Sequence, residues 1–251
     1  MKKLRHLSEM VLKLCLFTIL FYVFTLLSCV VKNYPILQVA FFIGFTYLIY
    51  VFVKIFNRDM NDIDRSTFIG NKSVNHITGS IYGIFLAGTF FIGTLILFVF
   101  LYKYELVYQN TNKIIGDSIG YVFVALYEEL VFRAFVFISL YVIFRKYFIS
   151  VIISSVLFAV LHFNFDPIIL ANITLSGIAL CFIYTWFKSI AAPIFLHFAH
   201  NFVCTLFILP TVQNQHWIKI ETVVILLFVI CWYIFAPDKK YSKDPLGLTI
   251  I

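Results

Sequence analysis

Long apolar runs separated by short polar breaks dominate the pattern of the chain. Each run lies near the roughly 20 residues that a helix needs to cross a bilayer. The runs cover residues 10–31, 36–56, 77–102, 118–143, 147–163, 167–187, 189–211 and 218–236. The pattern predicts an all-α, polytopic integral membrane protein with about eight transmembrane helices.

Composition and charge agree with a membrane protein and add an orientation. The chain is 62% hydrophobic and only 12% charged, whereas soluble domains average about 25% charged residues. If the amino terminus is cytoplasmic, thirteen basic residues fall on the inner side and four on the outer side, namely Lys32, Lys103, Lys113 and Lys219. This bias predicts a multi-pass cell-membrane protein with both termini in the cytoplasm. The net charge of +7 then reflects topology and anionic lipid, and no nucleic-acid partner is expected.

Polar residues at membrane depth are distributed unevenly, which divides the single membrane domain 1–251. Residues 1–115 form a set of N-terminal helices with few such groups. Residues 116–205 form the predicted core, which holds nearly all of them, and residues 206–251 hold the last span and a cytoplasmic tail. Function is therefore expected in the core.

Three glycines in the third run, Gly79, Gly83 and Gly88, lie at the spacing of small residues on one helix face. Small residues let the backbones of membrane helices approach closely. The spacing predicts that this helix packs tightly on a neighbour.

Several ionisable side chains of the core lie where hydrocarbon is expected. A charge near the bilayer centre costs about 2.5–3.5 kcal/mol on insertion scales, so such residues usually face a cavity and have a function. The set consists of Glu128, Glu129, Arg133, His162, His197 and His200. Such a concentration of acids, guanidinium and imidazoles predicts an active site inside the membrane.

The adjacent acids are expected to have different roles. Glu129 and Arg133 are four residues apart, so on a helix they share one face with the acid in the favourable amino-terminal position. Glu128 points about 100° away, and its neighbour four residues on is Phe132 rather than a cation. We predict Glu128 as a general acid or base and the Glu129–Arg133 pair as positioning groups. The alternative is an ion-pair network that only holds helices together.

The histidines lie at two separate places in the core. His162 ends the fifth run, while His197 and Asn201 are four residues apart in the seventh and share a face, with His200 one step aside. Imidazole can take up a proton, bind a metal or donate to an oxyanion. A hydrogen bond between packed helices is the alternative for each, and His200 can simply support Asn201.

These residues resemble the three motifs of the CPBP intramembrane proteases, the Abi family, which is related to the type II CAAX prenyl endopeptidases. The motifs follow in order on successive apolar runs as Glu128-Glu129-x-x-x-Arg133, Phe158-x-x-x-His162 and His197-x-x-x-Asn201. The resemblance covers roughly residues 115–205. It implies helices around a catalytic cavity inside the membrane, with Glu129 and Arg133 as supporting residues that order the site.

The resemblance also implies catalytic roles. Glu128 and His162 would activate a water molecule, and His197 with Asn201 would stabilise the oxyanion or help to hold a metal. Members of the family have been described both as metalloproteases and as glutamate-dependent proteases. In the metal version a divalent ion, with zinc as the first choice, would bind Glu128, His162, His197 and Asn201. No other cofactor is expected, and the need for a metal stays open.

The expected partners are the lipid bilayer and a peptide or membrane-protein substrate, with the oligomeric state open. The many phenylalanines, isoleucines and lysines are typical of a low-GC bacterium, which favours bacteriocin immunity or peptide-precursor processing over prenyl-protein cleavage. Two other classes of function remain. The same charges can line the path of a proton-coupled transporter, although no repeated halves are visible. The chain can also be a non-catalytic scaffold or regulator that binds membrane partners.

Overall fold

The protein is helical throughout the part of the chain that the structure, a computed structural model, describes. That part comprises residues 12, 15–17, 19–20, 23, 27, 35–59, 74–96, 111–162, 166–187, 189–206, 218–227 and 229–230. No strand occurs among these residues. The predicted all-α class is therefore confirmed.

The helices follow the apolar runs closely. They are α1 Pro35–Asp59, α2 Val74–Ile96, α3 Thr111–Glu129, a π-helical segment Leu130–Phe137, α4 Ile138–Phe144, α5 Tyr147–Val160, α6 Pro167–Phe187 and α7 Ala191–Leu206. Residues 218–227 are also helical. By length and apolar composition, α6 is the one described helix that qualifies to cross a membrane, and shorter apolar helices cover 40–52, 80–90 and 147–160.

Local sequence signals explain two of the helix boundaries. Arg145 ends α4 in the left-handed conformation with φ of 55°, and its N–H donates to the Tyr141 carbonyl at 2.8 Å. This conformation is a common helix ending, and α5 begins two residues later. At α6 the Asp166 carboxylate accepts hydrogen bonds from the Ile168 and Ile169 N–H groups. Pro167 occupies the first position of that helix, where the missing N–H costs nothing.

The π-helical segment forms the centre of the molecule. All of its residues are buried, and Phe135 packs against the rings of Phe17 and Phe52 at centroid distances of 4.4 and 5.3 Å. On the other side, the Ser154 hydroxyl of α5 donates to the Phe132 carbonyl at 3.0 Å. π-helical turns are rare and occur frequently at functional sites. This one follows directly after the acidic pair.

The close packing predicted for the glycines of α2 holds at one position. A Cβ on Gly83 would lie 2.8 Å from the Ala192 Cα of α7, so the two backbones are in contact there. No described atom lies within 4 Å of a Cβ built on Gly88, so the prediction is wrong at that position. The surroundings of Gly79 lie outside the described residues.

This difference gives a matched pair of stability tests. We expect Gly83→Ala to lower the stability of the protein by about 1–3 kcal/mol, because the new methyl group must push two backbones apart. Gly88→Ala makes the same chemical change in the same helix without a clash and should leave stability unchanged or raise it. Thermal unfolding of both variants in one detergent measures the difference. Equal unfolding temperatures would contradict the contact at Gly83.

Candidate active site

The two acids predicted to form the site lie at the end of α3, next to the π-helical segment. Glu129 is fully buried, and Glu128 is 13% exposed. Arg133 follows in the π-helical segment and is 1% exposed. Three ionisable side chains are thus enclosed within two turns of one helix, where an unpaired charge would be costly.

The ion pair predicted from helical spacing is present. Arg133 Nη1 donates to Glu129 Oε1 at 2.9 Å. The guanidinium also donates to the Gly177 carbonyl of α6 at 3.4 Å and lies 4.5 Å from the centre of the Phe158 ring. A carboxylate, a carbonyl and an aromatic face therefore stabilise this buried cation together.

His197 also contacts the acidic pair, an arrangement that the sequence did not predict. Its Nδ1 lies 2.7 Å from Glu129 Oε1. Because a carboxylate only accepts hydrogen bonds, the Nδ1–H group of His197 is the donor in this hydrogen bond. The ring is thereby fixed with Nε2 directed toward Glu128, whose Oε2 lies 3.7 Å away. Glu129 thus links Arg133 to His197.

Glu128 is the less engaged of the two acids. Its Oε1 accepts a hydrogen bond from the Tyr127 hydroxyl at 3.4 Å. Among the described residues, no hydrogen-bond donor reaches its buried Oε2. A buried carboxylate oxygen without a donor, opposite an oriented imidazole nitrogen, is suited to take a proton from a water molecule.

His162, the predicted partner of Glu128, lies at the carboxyl end of α5. It follows α5 in an exposed turn, where Nδ1 donates to the Phe158 carbonyl at 2.8 Å and leaves Nε2 for another partner. The Phe158 ring lies 4.8 Å from the ring of His162 and 6.0 Å from that of His197, measured between centroids. No hydrogen bond or ion pair among the described residues joins His162 to Glu128. Phe158 is therefore the shared neighbour of both histidines.

His200 and Asn201 are neighbours on α7, and His200 contacts a further acid. His200 Nδ1 lies 3.4 Å from Asn201 Oδ1, and His200 Nε2 donates to Glu221 Oε1 at 2.7 Å. Sequence reasoning missed Glu221, which is 7% exposed. The signal was available, because Glu221 is an acid inside the last apolar run and the same cost of a buried charge applies to it.

The predicted metal ligands do not come together as a complete set. Glu128 and His197 offer two donor atoms at a separation of 3.7 Å. Across the described residues, no group of three histidine, cysteine, aspartate or glutamate side chains is placed to hold a metal ion. Catalytic zinc sites normally use three protein ligands. Among the described residues, two of the predicted zinc ligands thus lie close together, and the reaction proposed for this site uses the chain's own side chains.

Comparison with known proteins found a similarity to a described family in the core of the chain. Residues 118–203 match the family model described as type II CAAX prenyl endopeptidase Rce1-like. Comparisons with curated proteins and with solved structures gave no match. The matched segment runs from α3 to α7 and contains every residue of the three motifs. Proteins of this family are membrane proteins with protease activity. Residues 118–203 are therefore similar to the type II CAAX prenyl endopeptidase Rce1-like family, a likeness that the three motifs predicted.

Proposed function

We propose that the protein is an intramembrane endopeptidase of the CPBP type that hydrolyses a peptide bond of a membrane-associated peptide or protein. The observation that carries the proposal is the pairing of Glu128 Oε2 with His197 Nε2 at 3.7 Å, inside a buried cluster. The Rce1-like match over the same residues supports it. Glu128 Oε2 and His197 Nε2 are close enough that a small movement of either side chain would let one water molecule bind both atoms.

The reaction begins with a water molecule at Glu128. We assign His162 Nε2 to help orient this water, in line with the family's motif, and the Glu128 carboxylate takes a proton from the water as the water oxygen attacks the carbonyl carbon of the substrate. The resulting tetrahedral oxyanion needs hydrogen-bond donors, and these are assigned to the protonated His197 Nε2 and the Asn201 amide. Glu129 holds His197 through Nδ1 and balances the charge of its imidazolium form. The Glu128 acid then gives its proton to the leaving nitrogen, the C–N bond breaks, and an acid and an amine are released.

The membrane arrangement is part of the same proposal. Eight spans with both termini in the cytoplasm would place the catalytic cavity among the helices of the core. The proposal is supported by the agreement between apolar runs and described helices and by the bias of basic residues. The substrate would then be an apolar segment that reaches the site within the bilayer, as in bacteriocin immunity or peptide-precursor processing.

The test of this function is cleavage by the purified protein. The wild type, reconstituted in liposomes, is incubated with a library of apolar peptides, and the products are identified by mass spectrometry. We expect defined cleavage sites, with kcat lowered about 10²–10⁴-fold in His162→Ala, since that residue is proposed to help activate the water. A folded wild type that cleaves nothing, while its variants keep full cellular function, would favour a scaffold or a transporter.

The ligand set leads to a prediction about metals. Since the proposed steps use Glu128 as the base, and two of the four predicted ligands lie close together among the described residues, we expect cleavage to depend on Glu128 and not on a bound ion. Activity should be unchanged after dialysis against a chelator, and elemental analysis of the active protein should find less than one equivalent of zinc. Loss of activity on chelation that zinc restores would contradict this mechanism.

A further inference from the structure

A second buried polar cluster connects α6, α7 and the helical residues 218–227. Its centre is the Glu221 carboxylate, which is 7% exposed. His200 Nε2 donates to Glu221 Oε1 at 2.7 Å, and Asn172 Nδ2 donates to Glu221 Oε2 at 3.2 Å. Both oxygens of the acid are thus held by side chains from two other helices.

The position of this acid is fixed from several directions. Asn172 Nδ2 also donates to Thr222 Oγ1 at 3.1 Å, and the Thr222 hydroxyl donates to the Ile218 carbonyl at 2.6 Å. Asn172 is itself 7% exposed. A fully bonded polar network in a low-dielectric interior specifies one arrangement of its members. The cluster is therefore a rigid support rather than a solvated surface group.

The imidazole ring of His200 connects this cluster to Asn201, one of the proposed catalytic residues. His200 is held at Nε2 by Glu221, and its Nδ1 lies 3.4 Å from Asn201 Oδ1. An amide side chain can present either its oxygen or its NH2 group to a given point, and the choice depends on its hydrogen-bond partners. A ring nitrogen fixed beside the amide oxygen favours one of these orientations.

We propose that Glu221 and His200 are positioning residues: in the imidazolium form, whose charge the Glu221 carboxylate balances, His200 donates from Nε2 to Glu221 and from Nδ1 to Asn201 Oδ1, which orients the NH2 group of the Asn201 amide toward the substrate oxyanion. The inference rests on the proposed protease function, because it assigns Asn201 to the oxyanion. It extends the site beyond the family-matched residues 118–203 to the helix that follows them. In enzymes, residues that orient a functional group in this way commonly contribute about 10–100-fold.

The test is a double-mutant cycle between Glu221 and Asn201, measured by peptide cleavage in liposomes. We expect Glu221→Ala to lower kcat about 10–100-fold while KM stays unchanged. In the Asn201→Ala background the same change should have no further effect on kcat, because the group that it orients is gone. Lys219→Ala, an exposed change on the same helix, is the control and should match the wild type.

The outcomes separate this inference from the function on which it rests. Wild-type kcat in Glu221→Ala, or the same loss in both backgrounds, would overturn the positioning role. If Glu221→Ala does not fold, Glu221→Gln replaces it in the cycle, since the amide keeps the shape of the acid. Absence of cleavage by the folded wild type would instead overturn the protease proposal.

Discussion

Replacing Glu128 with glutamine is expected to abolish measurable peptide cleavage while leaving the protein folded. The amide keeps the size of the side chain but cannot take a proton from water. The loss in kcat should be about 10²–10⁴-fold, the usual contribution of a general base. Stability should change little, because within the described part of the chain Glu128 makes only a 3.4 Å hydrogen bond to Tyr127 and the 3.7 Å approach to His197. Cleavage assays and thermal unfolding on the same sample measure both effects.

Asp117→Asn is the matched control for this variant. It makes the same chemical change in the same helix, at a half-buried position three turns earlier. Its kcat should equal that of the wild type. Cleavage by Glu128→Gln at the wild-type rate would exclude Glu128 as the base, and equal losses in both variants would indicate a general effect of charge in α3.

Replacing Arg133 with alanine is expected to produce the largest loss of stability. The change leaves the Glu129 carboxylate buried beside His197 without its main cation and removes a guanidinium that packs on the Phe158 ring. Breaking one side of a buried ion pair typically costs about 3–5 kcal/mol. The yield of monodisperse protein and its unfolding temperature should both fall. The exposed change Lys146→Ala should have neither effect.

A double variant separates the charge from the packing. Glu129→Gln combined with Arg133→Met removes both charges and keeps most of the volume, so much of the lost stability should return. Activity should stay low, because His197 would no longer be held by a carboxylate. If the double variant is as unstable as Arg133→Ala, the ion pair is not the reason for the instability.

The sequence predicted the contacts that a single helix determines. The spacing of Glu129 and Arg133 defines their geometry before any tertiary structure forms, and the expected ion pair is present. The approach of His197 to Glu129 joins residues 68 positions apart, and it depends on how α7 is rotated and tilted against α3. Because these helices are apolar on most of their surface, periodicity does not specify that rotation.

The same limit explains the other differences. The place of the His162 ring could not be predicted either: it lies in the exposed turn after α5, where Nδ1 donates to the Phe158 carbonyl. The π-helical segment has no simple sequence signature, since it reflects burial from several sides at once. Gly83 and Gly88 are glycines of the same helix, α2, but of these two only Gly83 contacts a neighbouring backbone among the described residues. Helix positions could be predicted from the apolar runs, whereas the contacts between helices required the structure.

Cleavage in H2 ¹⁸O reports directly on the proposed chemistry, in which one water molecule is split at Glu128. Purified wild type in liposomes is given a peptide substrate for a single turnover in labelled water, and the products are weighed by mass spectrometry. We expect one ¹⁸O atom in the new carboxylate, a matching free amine, and no product from Glu128→Gln. Folded wild-type protein that yields no labelled product, or labelled product formed equally well by Glu128→Gln, would contradict it.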